Sequence, residues 1–232
     1  MKLVITRPVE DAGALAEKLQ ASGHEWVLAP LLDIVPRAGV IVPKLDYQAI
    51  CVTSANAMRC LAVDPDRQLP VLAVGAQSAA SARQRGYAKV EAHGGDVDGL
   101  AQFIASHLDA ANGPLLYLSG AETSGDLEGQ LRRQGFEVVR SVTYDALPRR
   151  LDEQQSLIAN CDGVLLYSPR TAKLWRQEIE RLNMTNVAKT LHHYCLSPQV
   201  AKVLPQIWHT VVAQRPEEKS LLALLDLARE AE

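Results

Sequence analysis

The chain has 232 residues, 24 Lys+Arg against 27 Asp+Glu and a formal charge of −3, with 47% hydrophobic and 5% aromatic residues. That length allows one large domain or two small ones, with enough apolar residues to bury a real core. The charge balance excludes a dedicated nucleic-acid binder, whose affinity comes from cations on phosphates. The few aromatics exclude a row of base-stacking platforms, and no apolar run approaches the ~20 residues that span a bilayer.

Leu3-Val4-Ile5 is too short for the apolar stretch of a signal peptide and reads as a first strand. Ala12, Leu15, Ala16 and Leu19 then form an i, i+3, i+4, i+7 stripe that stops at Gly23, the pattern of an amphipathic helix with a glycine end. Trp26 to Ala29 is the next strand, followed by Ile50-Cys51-Val52, then Val71 to Val74 and a helix stopping at Gly86. Later strands are Leu115 to Leu118, Val138-Val139, Val164 to Tyr167, Leu191 to Cys195 and Thr210 to Val212. Leu221, Leu222, Leu224, Leu225 and Leu227 mark a terminal helix within 216–232. Continuous apolar strands alternating with helices indicate an α/β fold with parallel sheets covered on both faces.

The sequence also repeats. An offset of 112 brings Gly13 onto Gly125, Leu15 onto Leu127, Leu19 onto Leu131 and Gly23 onto Gly135. The same offset superposes Glu25 on Glu137, Val27 on Val139, and Asp33, Pro36 and Arg37 on Asp145, Pro148 and Arg149. Ser54 then pairs with Ser168, and Gln77 and Ala79 with Gln199 and Ala201, at slightly larger offsets. Such ordered identities indicate a duplicated half and two similar lobes. The two D-x-x-P-R segments are the expected linkers, because proline interrupts the strand–helix rhythm and stiffens the chain.

The familiar cofactor loops are missing. No G-x-G-x-x-G follows a strand, and Gly120 to Gly125 has a phosphate-loop skeleton with Asp126-Leu127 where Lys-Ser/Thr is needed. There is no G-x-S-x-G and no H-E-x-x-H. His192 and His193 are adjacent in a strand and therefore point to opposite faces, a poor start for a metal site. Cys51, Cys60, Cys161 and Cys195 have no metal or disulfide spacing, as expected of reduced thiols in a cytoplasmic protein.

What remains is a set of small polar residues at strand carboxyl ends, each read as preceding a helix. They are Thr6-Arg7-Pro8, Thr53-Ser54-Ala55-Asn56, Gly75-Ala76-Gln77-Ser78, Leu118-Ser119-Gly120, Tyr167-Ser168-Pro169-Arg170 and Leu196-Ser197-Pro198-Gln199. In open parallel sheets ligands bind at this edge, and helix starts there suit anions such as carboxylates. Ser, Thr and Asn at these places also serve as ordinary N-caps.

The ordered series I-T-R-P, T-S-A-N-A, V-G-x-x-S-A, L-S-G, V-T-Y, Y-S-P and C-L-S-P-x-V-A resembles the uroporphyrinogen-III synthase family over essentially the whole chain. The family pattern has an arginine after the third glycine block, where this chain has Ala121 to Gly125. It has G-x-T-T-A where this chain has Ser197 to Ala201, and a threonine where this chain has Ser78. The resemblance implies two flavodoxin- or Rossmann-like lobes joined by a two-stranded linker. Residues 1–36 with 149–232 would form one lobe and 37–148 the other, with linkers near 33–38 and 144–150.

The resemblance further implies a lyase that needs no metal or organic cofactor. This hydro-lyase dehydrates and closes hydroxymethylbilane with ring D inverted, giving uroporphyrinogen III in heme biosynthesis. Tyr144, one residue before the second linker, is the implied catalytic group, a phenol able to help the substrate hydroxyl depart. Carboxylates of the substrate would meet Arg7, Thr53, Ser54, Ala55, Asn56, Gly75, Ser78, Ser119, Gly120, Ser168, Arg170 and Ser197. The backbone amides of Ser54 to Asn56, Ser119-Gly120 and Ser168 are the expected donors, with Arg7 and Arg170 adding charge. The implied partners are the linear tetrapyrrole and hydroxymethylbilane synthase as its supplier, with no nucleic acid and no membrane, for a monomer. The competing reading is a two-lobed polycarboxylate binding or sensor protein without chemistry.

Overall fold

The computed structural model describes residues 1–93 and 96–230, with side chains through residue 226. It divides into two compact units, Met1–Asp33 with Leu147–Glu232, and Ile34–Ala146. From the N-terminus come β1 (Lys2–Ile5), α1 (Val9–Ala21), β2 (Glu25–Leu28) and β3 (Leu32–Pro36). The middle holds β4 (Ala49–Val52), α2 (Ala55–Arg59), β5 (Val71–Ala73), α3 (Ala76–Gln84), β6 (Val90–Ala92) and α4 (Val97–His107). It continues with β7 (Leu115–Gly120), α5 (Leu127–Arg133) and β8 (Val138–Pro148). Then follow α6 (Gln155–Ile158), β9 (Gly163–Leu166), α7 (Pro169–Arg181), α8 (Thr185–Thr190) and β10 (His192–Cys195). The chain closes with α9 (Pro198–Ala201), β11 (His209–Val212) and α10 (Glu218–Glu230).

In the unit that holds both ends of the chain, the strand order is β11-β10-β9-β1-β2, and every pairing is parallel. Its side chains alternate across the sheet. Leu3, Ile5, Leu165 and Tyr194 pack with Leu15, Leu19, Leu221 and Leu225 on one face. Val4, Val164, Leu166 and Cys195 pack with Trp175 and Ile179 on the other. The helix after β1 thus covers one face and the helix after β9 the opposite one. Leu227, expected on the apolar side of the terminal helix, lies outside the described side chains.

In the other unit the order is β3-β8-β7-β4-β5-β6. Ile50, Val52, Leu116 and Leu118 meet α2 and α3 through Met58, Ala79 and Ala82. Ala49, Cys51, Leu115 and Tyr117 meet α4 and α5 through Leu100, Ile104, Leu127 and Leu131. β7 and β8 stand to β4, β5 and β6 as β1 and β2 stand to β9, β10 and β11. The sequence repeat is therefore a repeat of strand order, circularly permuted by the chain. Gly23 and Gly135, one repeat apart, both follow a helix end at positive φ, 75° and 91°, where a side chain is disfavoured.

Both D-x-x-P-R segments begin in strands, β3 and the end of β8, which are neighbours in the sheet. Each aspartate pairs with the arginine of the other repeat. Arg37 holds Asp145 through two bonds of 2.8 Å, and Arg149 reaches Asp33 at 3.1 Å. β3 and β6 have no counterpart in the sequence reading, because Asp33 and Glu91 interrupt short apolar runs. The Val138-Val139 strand runs on to Pro148. One expectation is corrected: Ser119-Gly120 does not open a helix. The strand continues through both residues, and α5 begins only at Leu127, capped by Asp126.

Candidate active site

In each unit one pair of neighbouring strands sends its following helices to opposite faces. These pairs are β1 with β9 and β4 with β7. The carboxyl edge of such a pair leaves a crevice, the usual ligand site of open parallel sheets. Both edges are built from residues singled out in the sequence.

At the β4–β7 edge the organising side chain is Tyr144, which is 8% exposed. Its ring lies against Gly120, and its phenol donates to Ser54 Oγ at 3.1 Å. Ser54 also caps α2 by accepting from the Asn56 amide at 3.3 Å, so its oxygen joins a helix start to the tyrosine. That amide is consequently occupied within the loop, and the buried Asn56 carboxamide accepts from Arg59 at 2.6 Å. Ala55 is buried beside it.

Thr53 shares a hydrogen bond of 3.1 Å with the Tyr117 phenol. Burial pushes the Tyr117 phenol above its ordinary pKa, and the bond to Thr53 and nearby Arg140 offset this only partly. Ser119 is fully buried, with its hydroxyl accepting from Arg140 Nε at 2.8 Å. Gly75 begins α3 in extended conformation without a side-chain cap, and nothing stands within 4 Å of where its Cβ would be. That helix start is open, with Ser78 buried one turn in.

At the β1–β9 edge, Arg7 lies 4.6 Å from the ring centre of Tyr167 and pairs with Glu218 at 2.8 Å. Burial raises the Tyr167 phenol well above its ordinary pKa. Ser168 caps α7 in a reciprocal box: its hydroxyl accepts from the Thr171 amide, and its own amide donates to Thr171 Oγ1 at 3.2 Å. That amide is thus engaged within its own helix start, whereas Ser119 and Gly120 lie at the end of β7. Arg170 is half-buried in the first turn of α7. Ser197 starts α9 with no side-chain cap bond.

Tyr117 and Arg140 were not singled out as site residues from the sequence. Arg140 had a signal, a charged residue inside the apolar run Val138 to Val142, which needs a partner to be tolerated there. His193 is buried and His192 exposed, as their alternation requires, and burial pulls the His193 imidazole down to about 4. The Cys51 and Cys195 thiols are pushed up to about 12 by burial, so neither is a ready nucleophile. Among the described residues there is no group of three or more potential metal ligands, and no helix is long and apolar enough to cross a membrane.

Gly120 gives this edge a simple test. An added Cβ would stand 2.7 Å from Tyr144 Cζ and 2.9 Å from its hydroxyl oxygen. Gly120→Ala is expected to push the ring off Ser54 and lower stability by about 1–3 kcal/mol, the usual result of overpacking. Denaturant titration measures this, and an unchanged midpoint would mean that the ring moves freely.

The family model of uroporphyrinogen-III synthase HemD matches residues 13–223. Among solved structures, the uroporphyrinogen-III synthetase of Helicobacter pylori 26695 is similar with a TM-score of 0.68 and 18% identity, over 97% of this chain and 99% of that one. A mutant uroporphyrinogen III synthase of the extreme thermophile Thermus thermophilus gives 0.56 and 16%, over 100% of both chains. No curated protein matches the chain significantly. With the family model spanning nearly all of its length, this two-unit α/β chain belongs to the uroporphyrinogen-III synthase family of tetrapyrrole biosynthesis.

Proposed function

We propose that the protein converts hydroxymethylbilane to uroporphyrinogen III, releasing water and closing the macrocycle with ring D inverted. The observation that carries this reading is the Tyr144 phenol, held on Ser54 at the β4–β7 edge. Tyr144 is the general acid. Rotation about its C–O bond swings the proton from Ser54 to the substrate hydroxyl, the bond from that oxygen to the hydroxymethyl carbon breaks, and water leaves. The freed carbon bonds to the ring D carbon that already carries the bridge from ring C. That bridge bond then breaks, and the released methylene bonds to the opposite α-carbon of ring D, which sheds the proton that restores the phenol. The net change is one new carbon–carbon bond and one released water, so atoms and charge balance.

The remaining contribution is orientation. Held in a folded pose, the two ends of the open chain react as one oriented intramolecular pair. A protein of charge −3 does not attract a polycarboxylate by its overall field, so local donors have to do it. The open start of α3 at Gly75, the hydroxyls of Thr53, Ser54, Ser78 and Ser197, the Ala55 amide, and Arg7 and Arg170 fill that role, with Asn56 shaping the turn beside them. Arg7 would exchange Glu218 for a substrate carboxylate. Ser119, Gly120 and Ser168 shape these edges. The protein works as a cytoplasmic monomer that receives its substrate from hydroxymethylbilane synthase.

The test supplies hydroxymethylbilane from a coupled deaminase and resolves the porphyrin isomers after oxidation. The type III isomer is expected to dominate. Accumulation of the spontaneous type I isomer alone sinks the proposal.

A further inference from the structure

β7 and β8 pair in parallel register from Leu115↔Val138 to Ser119↔Val142, and the next partner of Gly120 is Tyr144 instead of Thr143. One extra residue in β8 thus makes a bulge. Because side chains alternate along a strand, this bulge decides which residue of β8 stands beside Gly120. Without it, Gly120 would face Thr143, and the Tyr144 ring would leave the row that puts its phenol on Ser54.

A single side chain holds the place where the ladder slips. Arg140 donates from Nε to Ser119 Oγ at 2.8 Å, and from one terminal nitrogen to the carbonyls of Gly120 at 2.8 Å and Ala121 at 3.0 Å. Its other terminal nitrogen lies 3.8 Å from Glu128. The grip runs straight into the tyrosine: the Ala121 amide donates to the Tyr144 carbonyl at 3.0 Å, and Gly120 touches the Tyr144 ring. With its polar nitrogens on protein acceptors, Arg140 has no need of a substrate carboxylate to account for it. Its planar fork, which reaches three acceptors at once, is a shape that lysine cannot copy.

We infer that Arg140 is a positioning residue for Tyr144, fixing the β7–β8 bulge that aims the phenol. The inference rests on the reading of Tyr144 as the proton donor. Arg140→Lys and Arg140→Gln are each expected to lower kcat by ~10- to ~100-fold with KM unchanged, as a misplaced catalytic group does. Arg140→Lys keeps the charge, so a carboxylate-binding arginine would instead be rescued by it. In a Tyr144→Phe background, neither change is expected to reduce kcat further.

A rise in KM at constant kcat, rescue by lysine, or a full multiplicative loss in the Tyr144→Phe background would each overturn the inference. If Tyr144→Phe alone keeps the full rate, the reading of Tyr144 falls, and the inference with it. If Tyr144→Phe is slow and the Arg140 variants are fast, only the inference falls. Should the Arg140 variants not fold, Ser119→Ala removes one acceptor of the grip and is expected to lower kcat in the same sense. An unchanged kcat in that variant would count against the inference.

Discussion

Tyr144→Phe is expected to form the type III isomer ~100-fold more slowly, at the lower end of the range for losing a general acid. The low end applies because clamping of the flexible substrate survives the change. Phenylalanine fills the same space over Gly120, so the packing of Tyr144 among Val52, Leu118 and their neighbours is kept. What disappears is one hydrogen bond to Ser54, worth about 1 kcal/mol of stability. For a chain of this size that is a fall of about 2–4 °C in Tm. The pair of readings separates chemistry from packing: a slow enzyme with a small change in Tm supports the proton donor. A full-rate enzyme would falsify it and reduce Tyr144 to a core residue.

The largest stability effect is expected at Glu178. This α7 side chain is buried, and its carboxylate receives the Leu151 amide at 3.0 Å, Arg150 at 3.0 Å and Arg181 at 2.7 and 3.0 Å. Arg181 goes on to hold Asp152 through two bonds of 2.9 Å, so the start of the 152–158 helical segment is tied to α7 by one network. Glu178→Ala leaves a buried amide without an acceptor, takes the carboxylate from Arg150, and leaves Arg181 with Asp152. Breaking such a network by removing one member costs about 3–5 kcal/mol, and the exposure of Arg150 places this one near the lower figure. A loss under about 1 kcal/mol by urea titration would mean that solvent already does the work of the carboxylate.

The same network sets a pH dependence. Burial raises the Glu178 pKa, but the bonds from Arg181, the Leu151 amide and Arg150 outweigh it, and the net value lies below the ordinary 4.5. A carboxylate lowered on folding contributes stability that is complete above its unfolded pKa. That stability is lost as the pH falls from there through the folded value. Stability is therefore expected to decline below about pH 4.5, and the decline should be shallower in Glu178→Gln. Equal acid limbs in both proteins would assign the loss to other carboxylates, of which Asp64, Asp145 and Asp152 are also held low by arginines.

Much of the fold was legible because it rests on local periodicity. Apolar runs of three or four residues sit at β1, β4, β7 and β9. The stripe at Ala12, Leu15, Ala16 and Leu19 is the buried face of α1. The offset of 112 was legible because both copies need the same leucines inside and the same glycine at a helix end. β3 and β6 were not, since strands interrupted by Asp33 and Glu91 are recruited by a neighbouring strand and not by their own pattern.

At the site, sequence alone determined the chemistry on offer: which loops follow strands, which hydroxyls stand at helix starts, and that a tyrosine precedes the second D-x-x-P-R. Tertiary structure alone decided which of those groups are free and which face one another. Ser168 spends its amide on its own helix, Ser119 spends its hydroxyl on Arg140, and Gly75 is left open. The one-residue slip between Ser119 and Gly120 puts Tyr144 on Ser54, 90 positions away. The physical reason is common to all of these. Strand and helix patterns are written in neighbours along the chain, whereas hydrogen-bond partners and sheet register are settled only when distant strands compete for the same acceptors.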